Sequence, residues 1–351
     1  MPASLIERTP MAAIVRWLSP SPCLLAFAMI FGMLVSEIHG AEQPPFREVA
    51  RLGRGINILG YDGLWEGGRN APFRTENLTM IKQAGFSHVR INFFGFKYMN
   101  SGNILDETVL ARLDFVIEEV LARKLIPILD EHDSEFCQRD LSGCAEKLKA
   151  FWKQLSLRYG GKYPGLIFEI LNEPGGQMTS AMWNSLLGEA LNIIRQTNPA
   201  RPVIVAALNT EDITIDQLEL PVRDRNLIVT VHYYAPIQFT HQGAPWSRLF
   251  SGIGPLDWGN ADDEAKVISD FGKINGWSER ERRPIYLGEF GVYDRAPPQS
   301  RSRYLSFIAR NAERLGWAWA YWQFDHDFAA FDSRRQRWNR DVLNALLPRE
   351  R

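Results

Sequence analysis

The chain has 351 residues, a length above the usual single-domain range but within what one α/β barrel occupies. Its 40 basic and 41 acidic side chains leave a formal net charge of −1. This balance argues against a nucleic-acid or anionic-membrane partner, since such partners select a basic excess.

The first 40 residues have the pattern of a secretory leader. Two arginines precede the apolar run Cys23–Val35, and small residues follow it at Gly40 and Ala41. The run is shorter than the roughly twenty apolar residues of a membrane-spanning helix. We therefore predict a leader over 1–40 and a mature domain over 41–351, exported to a periplasm or out of the cell and not inserted in a membrane after cleavage. An uncleaved N-terminal anchor is the alternative.

The mature part of the chain alternates short β-rich apolar runs with amphipathic helical patterns, of which Asp106–Arg123 is a clear example. The predicted strands are Gly55–Leu59, His88–Phe93, Leu125–Asp130, Leu166–Leu171, Val203–Ala207, Leu227–His232, Ile285–Phe290 and Trp317–Trp322. Eight strands with helices between them predict a single-domain α/β fold, the (β/α)8 TIM barrel. An open doubly wound sheet is disfavoured because no Gly-x-Gly-x-x-Gly turn follows the first strand.

Polar side chains are concentrated at the predicted C-terminal ends of the strands, where a barrel of this kind carries its chemistry. They are Arg90, Asn92, Asp130, His132, Asp133, Asn172, Glu173, His232, Tyr234 and Glu289, and Trp322 ends the eighth strand. A purely structural barrel has no reason to collect these groups on one rim. The sequence therefore predicts an active site there.

Two glutamates of this set form a pair suited to glycoside hydrolysis. Glu173 in Leu-Asn-Glu-Pro ends the fourth strand, and Glu289 in Gly-Glu-Phe-Gly ends the seventh. The reaction needs one carboxylic acid to protonate the leaving oxygen and one carboxylate to meet the developing positive charge. We expect Arg90 and Tyr234 to hold Glu289 ionised. We expect apolar surroundings and the charge of Glu289 to raise the pKa of Glu173.

The ordered motifs resemble those of glycoside hydrolase family 5 over essentially the whole mature chain. The matching positions are Arg90 in Val-Arg-Ile, His132 in Asp-Glu-His-Asp, Asn172 and Glu173 in Leu-Asn-Glu-Pro, His232 and Tyr234 in His-Tyr-Tyr, Glu289 and Trp322. The resemblance implies a retaining mechanism without metal or organic cofactor. It also implies that Asn172 binds the sugar 2-hydroxyl and that His132 and His232 hold the sugar and the carboxylates. Asp133 departs from many cellulases of the family, which carry a second histidine there, and leaves nearby substrate contacts open.

The expected function is a retaining endo-β-1,4-glucanase that acts on β-glucan polysaccharides or oligosaccharides, with a monomer as the default state. β-Mannan, xyloglucan and mixed-linkage glucan are alternative substrates, and transglycosylation is an alternative outcome. A non-catalytic glycan-binding barrel is disfavoured because both carboxylates are present. A metal site at Glu131, His132 and Asp133 is disfavoured because adjacent strand residues point to opposite faces.

Two cysteines of the mature chain, Cys137 and Cys144, lie in one predicted loop. An exported protein meets an oxidising compartment, where such a pair can form a disulfide. The bridge would clip that loop and add little to global stability. A metal site is the weaker alternative, because two thiols at this spacing lack partner ligands.

Aromatic side chains near the strand ends are candidate sugar platforms, because a pyranose presents an apolar C–H face. Trp322 is the best placed, and the others that follow strands one and two are Tyr61, Trp65, Phe93, Phe94 and Phe96. Trp246 and Trp258, in the long loop after strand six, stay open between sugar contact and core. The tryptophans expected to pack the core are Trp152, Trp183, Trp317 and Trp319.

Overall fold

The computed structural model describes residues 44–60, 62–66, 71–210 and 212–348. The predicted leader over 1–40 lies outside the described residues, and so does Tyr61. Across the described ranges, every helix is too short or too polar to cross a membrane.

Eight parallel strands pair in chain order and close into one barrel, with β1 bonded to both β2 and β8. Their bounds are β1 Arg54–Ile58, β2 His88–Phe93, β3 Ile126–Glu131, β4 Ile167–Glu169, β5 Val203–Ala206, β6 Leu227–Tyr233, β7 Ile285–Phe290 and β8 Ala318–Tyr321. This confirms the predicted single-domain (β/α)8 barrel. The fourth strand, Ile167–Glu169, is shorter than the predicted Leu166–Leu171.

Helices lie between the strands, and a hairpin follows the last one. The helices are α1 Pro44–Leu52, α2 Thr75–Ala84, α3 Glu107–Ala122, α4 Ser134–Arg139, α5 Leu141–Arg158, α6 Ser180–Thr197, α7 Ile237–Thr240, α8 Ala261–Glu281, α9 Pro298–Arg314 and α10 Arg340–Leu346. The side chain of Asp106 caps α3 by accepting from two backbone N–H groups, so this helix begins where the sequence predicted. The hairpin, β9 Phe331–Asp332 and β10 Arg337–Trp338, was not predicted.

The inside of the barrel has an apolar floor beneath a polar upper layer. The floor residues are Ile128, Ile167, Ile204, Ile228, Tyr286, Ala318 and Ala320, with Val49 and Leu52 of α1 packed against them. Every second residue of a strand points inward, so the inward residue after Ile128 is Asp130, and the one after Ile167 is Glu169. The apolar floor therefore fixes the register that carries buried polar side chains upward toward the rim.

The aromatic residues divide differently from the prediction. The four tryptophans assigned to packing are all buried. Trp65, Phe93 and Phe96, expected at the rim, are also core residues, and the rings of Trp65 and Phe93 meet edge to face at 5.0 Å. Trp258 is buried, whereas Trp246 is 51% exposed. A position just after a strand is thus not sufficient to place a ring in the cleft.

A disulfide joins Cys137 of α4 to Cys144 of α5, with a sequence separation of seven. Both cysteines are buried. The neighbouring Gln138 packs against Gly176, where an added Cβ would lie 2.8 Å from the Gln138 Cβ. The clipped segment therefore abuts the turn that follows Glu173.

Candidate active site

Arg90 is the centre of the polar layer and is fully buried. Its Nε and Nη2 atoms donate to the two oxygens of Glu169 at 2.8 and 2.9 Å, and Nη1 donates to Glu289 Oε1 at 2.6 Å. Nη2 also donates to Asn172 Oδ1 at 2.9 Å and lies 3.1 Å from Asp130 Oδ2. Burial raises the pKa of Asp130 to about 7 and also raises the pKa of Glu169, although the charge of Arg90 opposes both shifts. One planar cation thus organises three buried carboxyl groups.

Glu289 lies near the end of β7 with a side chain that is 6% exposed. The hydroxyl of Tyr234 donates to its Oε2 at 2.9 Å, and Arg90 donates to its Oε1. Both partners were expected from the sequence. A register shift between Val231 and His232 pairs His232 with Glu289 across β6 and β7. The carboxylate is therefore held in one orientation from both of its oxygens.

Glu173 follows β4 at the rim and is the more open of the two glutamates. Its side chain is 38% exposed, and its Oε1 lies 2.7 Å from His232 Nδ1. Its backbone has φ of +38°, a left-handed conformation that is uncommon outside glycine. Burial raises the pKa of Glu173, whereas Arg90 lowers it, as does the His132 ring when it is protonated. The predicted rise is present and burial in apolar surroundings is its predicted cause, whereas the charge of Glu289, also predicted to contribute, is not among the causes.

The two glutamates are close enough to act on one sugar. An oxygen of Glu173, an oxygen of Glu289 and His232 Nδ1 all lie within 4.8 Å of one another. Carboxyl groups about 5–5.5 Å apart are typical of retaining glycosidases, and inverting ones keep them about 6.5–9.5 Å apart. Three such atoms could also bind one cation. In this structure they have partners within the protein, because His232 bonds Glu173 while Arg90 and Tyr234 bond Glu289.

His132, directly after β3, and Trp322, directly after β8, form a stacked pair. Their ring centroids are 5.5 Å apart at an interplanar angle of 6°. His132 Nδ1 lies 2.5 Å from Asp130 Oδ2, so its nearest carboxyl partner is Asp130 and not a predicted catalytic glutamate. Burial lowers the pKa of both His132 and His232 to about 4, which leaves the two rings neutral near pH 7.

Asn57 and Glu169 complete the layer, and the sequence motifs predict a role for neither of them. Asn57 accepts from Arg90 Nη1 at 3.0 Å and donates to the backbone oxygen of Gly288 at 3.0 Å. Each is the one polar residue of its predicted strand, Gly55–Leu59 or Leu166–Leu171, and Glu169 lies four residues before Glu173. That isolation was the available signal, but it does not reveal the partner.

Glu131 and Asp133 lie outside this arrangement. Glu131 Oε1 accepts from the backbone N–H of Gly95 at 3.0 Å, and Asp133 Oδ2 accepts from that of Phe96 at 2.7 Å. Both carboxylates thus hold the loop after β2. Asp133 supports that loop where many family members carry a histidine.

Comparison with known proteins places this geometry in a family. The sequence pattern of Cellulase (glycosyl hydrolase family 5) matches residues 49–327. The chain belongs to glycoside hydrolase family 5. Endoglucanase H of Acetivibrio thermocellus is 30% identical over 318 residues, which cover 86% of this chain but only 33% of that protein. This family 5 chain therefore spans about a third of that relative's length.

Solved structures show the same likeness over nearly their whole length. Endoglucanase Cel5A from the hyperthermophile Thermotoga maritima is 37% identical with a TM-score of 0.80, covering 86% of this chain and 99% of that one. Structures of Cel5A in complex with cellobiose and with mannotriose are known. Cellulose synthase subunit Z of Clostridioides difficile is 31% identical with a TM-score of 0.79, covering 84% and 99%.

Proposed function

We propose that this chain is a retaining endo-β-1,4-glucanase in which Glu289 is the nucleophile and Glu173 is the acid and then the base. The observation that carries the proposal is the pair of carboxyl oxygens within 4.8 Å in contrasting surroundings. Glu289 is nearly buried and is held by two donors. Glu173 lies nearer the solvent at the rim, yet the protein around it still desolvates its carboxyl group and raises its pKa, as a group that must deliver a proton requires.

The reaction proceeds in two balanced steps. Glu289 attacks the anomeric carbon while Glu173 gives its proton to the glycosidic oxygen, which leaves with the electrons of the broken C–O bond. Glu173, now a carboxylate, takes a proton from water as that water attacks the same carbon and releases Glu289. Arg90 and Tyr234 keep Glu289 oriented. They also stabilise the negative charge that returns to Glu289 when the glycosyl-enzyme breaks down.

Relatives support β-1,4-glucan as the substrate. Endoglucanase H and Cel5A are named as endoglucanases, and Cel5A has been solved with cellobiose, a β-1,4-linked glucose disaccharide. Because Cel5A has also been solved with mannotriose, β-mannan is the second candidate for this chain. A panel of β-1,4-glucan, β-mannan, xyloglucan and mixed-linkage glucan, with products sized over time, tests the proposal. Early release of mixed long products from β-1,4-glucan is expected, and an intact glucan beside a degraded mannan would overturn the glucanase assignment.

Variants of the two glutamates test their separate roles. Glu289→Ala is expected to abolish turnover on every glycoside while glycan binding survives. Glu173→Ala is expected to lose far less activity on aryl glycosides than on polysaccharide, because aryl leaving groups need little protonation. Glu189→Ala is a matched control, since Glu189 is an exposed surface residue that pairs with Lys149. Equal losses on both substrate types would contradict the acid role of Glu173.

We further propose that the protein is exported after removal of residues 1–40 and acts as a monomer. The apolar run Cys23–Val35 and the disulfide between Cys137 and Cys144 support export. N-terminal sequencing of the protein from secreted and membrane fractions of the producing cell is the test. An intact N-terminus in the membrane fraction would contradict cleavage, and light scattering after gel filtration measures the oligomeric state.

A further inference from the structure

Two buried polar atoms of β6 lie close to Gly288, and one of them belongs to His232, which bonds Glu173. His232 Nε2 and Thr230 Oγ1 are both buried and have no hydrogen-bond partner among the described residues. A Cβ added at Gly288 would lie 2.5 Å from Thr230 Oγ1 and 3.1 Å from His232 Nε2. The two atoms are therefore less than about 6 Å apart. A change in the χ1 rotamer of Thr230 can bring its hydroxyl across such a gap.

The other nitrogen of the same ring faces the two glutamates. His232 Nδ1 lies 2.7 Å from Glu173 Oε1 and 3.6 Å from Glu289 Oε2. A neutral imidazole carries its proton on one nitrogen only, and the hydrogen bond made by the other nitrogen decides which. A threonine hydroxyl has one proton to donate. If it donates to Nε2, the ring proton must be on Nδ1, facing Glu173.

We propose that Thr230 is a positioning residue whose hydroxyl donates to His232 Nε2 and fixes the tautomer with the proton on Nδ1. Glu173 Oε1 then accepts from the ring in both protonation states, and the acidic proton is carried on Oε2, available to the leaving group. In the opposite tautomer Glu173 would donate its proton to Nδ1 and hold it away from the substrate. The inference rests on the proposed acid role of Glu173.

The role of the Thr230 hydroxyl can be tested without changing any charge near Glu173 and His232. The titratable and charged groups around Glu173 and His232 are Arg90 of β2, Asp130 and His132 at the end of β3, Glu169 of β4, Tyr234 after β6 and Glu289 of β7. Burial lowers the pKa of His232 to about 4, so the ring is neutral and has two tautomers to choose between. Replacing Thr230 by valine changes none of these charges and keeps a β-branched side chain in the strand.

The decisive variants are Thr230→Val, which removes the hydroxyl, and Thr230→Ser, which retains it. Thr230→Val is expected to lower kcat on β-1,4-glucan about tenfold, a change equivalent to roughly one pKa unit. The alkaline limb of its kcat/KM profile should move to higher pH, because a ring that accepts from Glu173 stabilises the protonated acid. Activity on an aryl glycoside with a good leaving group should fall much less. Thr230→Ser should stay within about twofold of the parent.

Nitrogen-15 spectra of labelled histidine give a readout that a general packing defect would not mimic. The chain has six histidines, so the spectrum is small. The parent should show His232 protonated at Nδ1, and Thr230→Val should shift the proton toward Nε2. A folded Thr230→Val with an unchanged alkaline limb and tautomer would overturn the inference, and so would a parent protonated at Nε2. If the valine variant does not fold, the parent spectrum decides.

This test separates the inference from the proposed function. If Glu173→Ala keeps full activity on polysaccharide, the acid role itself fails. If Glu173→Ala behaves as an acid variant while Thr230→Val changes neither the pH profile nor the tautomer, only the role of Thr230 fails.

Discussion

Arg90→Lys keeps the positive charge of the polar layer and removes its planar fork. Arg90 donates five hydrogen bonds, to Asn57, Asn172, Glu289 and both oxygens of Glu169. A lysine ammonium has three donors, so at least two of the five bonds are lost. At about 1.5–3 kcal/mol for a bond involving a charged group, we expect a loss of about 3–6 kcal/mol in the free energy of unfolding. That is a large share of the 5–15 kcal/mol that stabilises a typical domain.

Urea denaturation followed by tryptophan fluorescence measures this loss, and initial rates are taken where both proteins are fully folded. We expect kcat to fall at least about tenfold, because two lost bonds leave the Glu289 carboxylate free to rotate. Arg335→Lys is the control, since Arg335 is a largely exposed residue that pairs with Asp332, and this change should alter stability by less than about 1 kcal/mol. The reasoning is refuted if Arg90→Lys loses less than about 1 kcal/mol and keeps kcat within twofold.

Two further predictions concern the disulfide and Asp130. The double change Cys137→Ser and Cys144→Ser should lower Tm by about 3 °C in calorimetry, since a seven-residue separation corresponds to about 2 kcal/mol of chain entropy. A fall in Tm several times larger would show that the disulfide stabilises more of the domain than the segment between its two cysteines. Because burial raises the pKa of Asp130 from its ordinary 3.8 to about 7, its contribution to stability is fully present below about pH 4 and is lost as the pH rises through about 7. Asp130→Asn should flatten the free energy of unfolding between pH 4 and 8, and an unchanged profile would contradict the shift.

Much of the fold followed from local pattern. The predicted bounds of β2 and β7 are those of the structure, and the cap at Asp106 begins the helix that the apolar periodicity indicated. Glu173 and Glu289 meet as expected because a parallel barrel brings all strand ends to one rim. These features depend on periodicity and closure, which a single sequence carries.

The remaining features depend on partners that are remote in sequence. Glu169 meets Arg90 across 79 positions, and nothing in either strand indicates that pairing. Trp65 follows its strand as a cleft residue would, yet it packs on Phe93 within the core. The apolar pattern of β6 gives no sign that Thr230 differs in role from its neighbours. Which inward side chains share a layer is set by strand stagger and side-chain volume, and the local pattern does not contain either.

The left-handed backbone at Glu173 sets stability against activity at this position. A non-glycine residue with φ of +38° costs about 1–2 kcal/mol, and asparagine tolerates that conformation better than glutamate. Glu173→Asn should therefore unfold at a higher temperature than the working enzyme while losing its chemistry. Sequence optimisation guided by thermal stability alone would therefore replace the proposed acid at this position and yield a more stable but inactive protein.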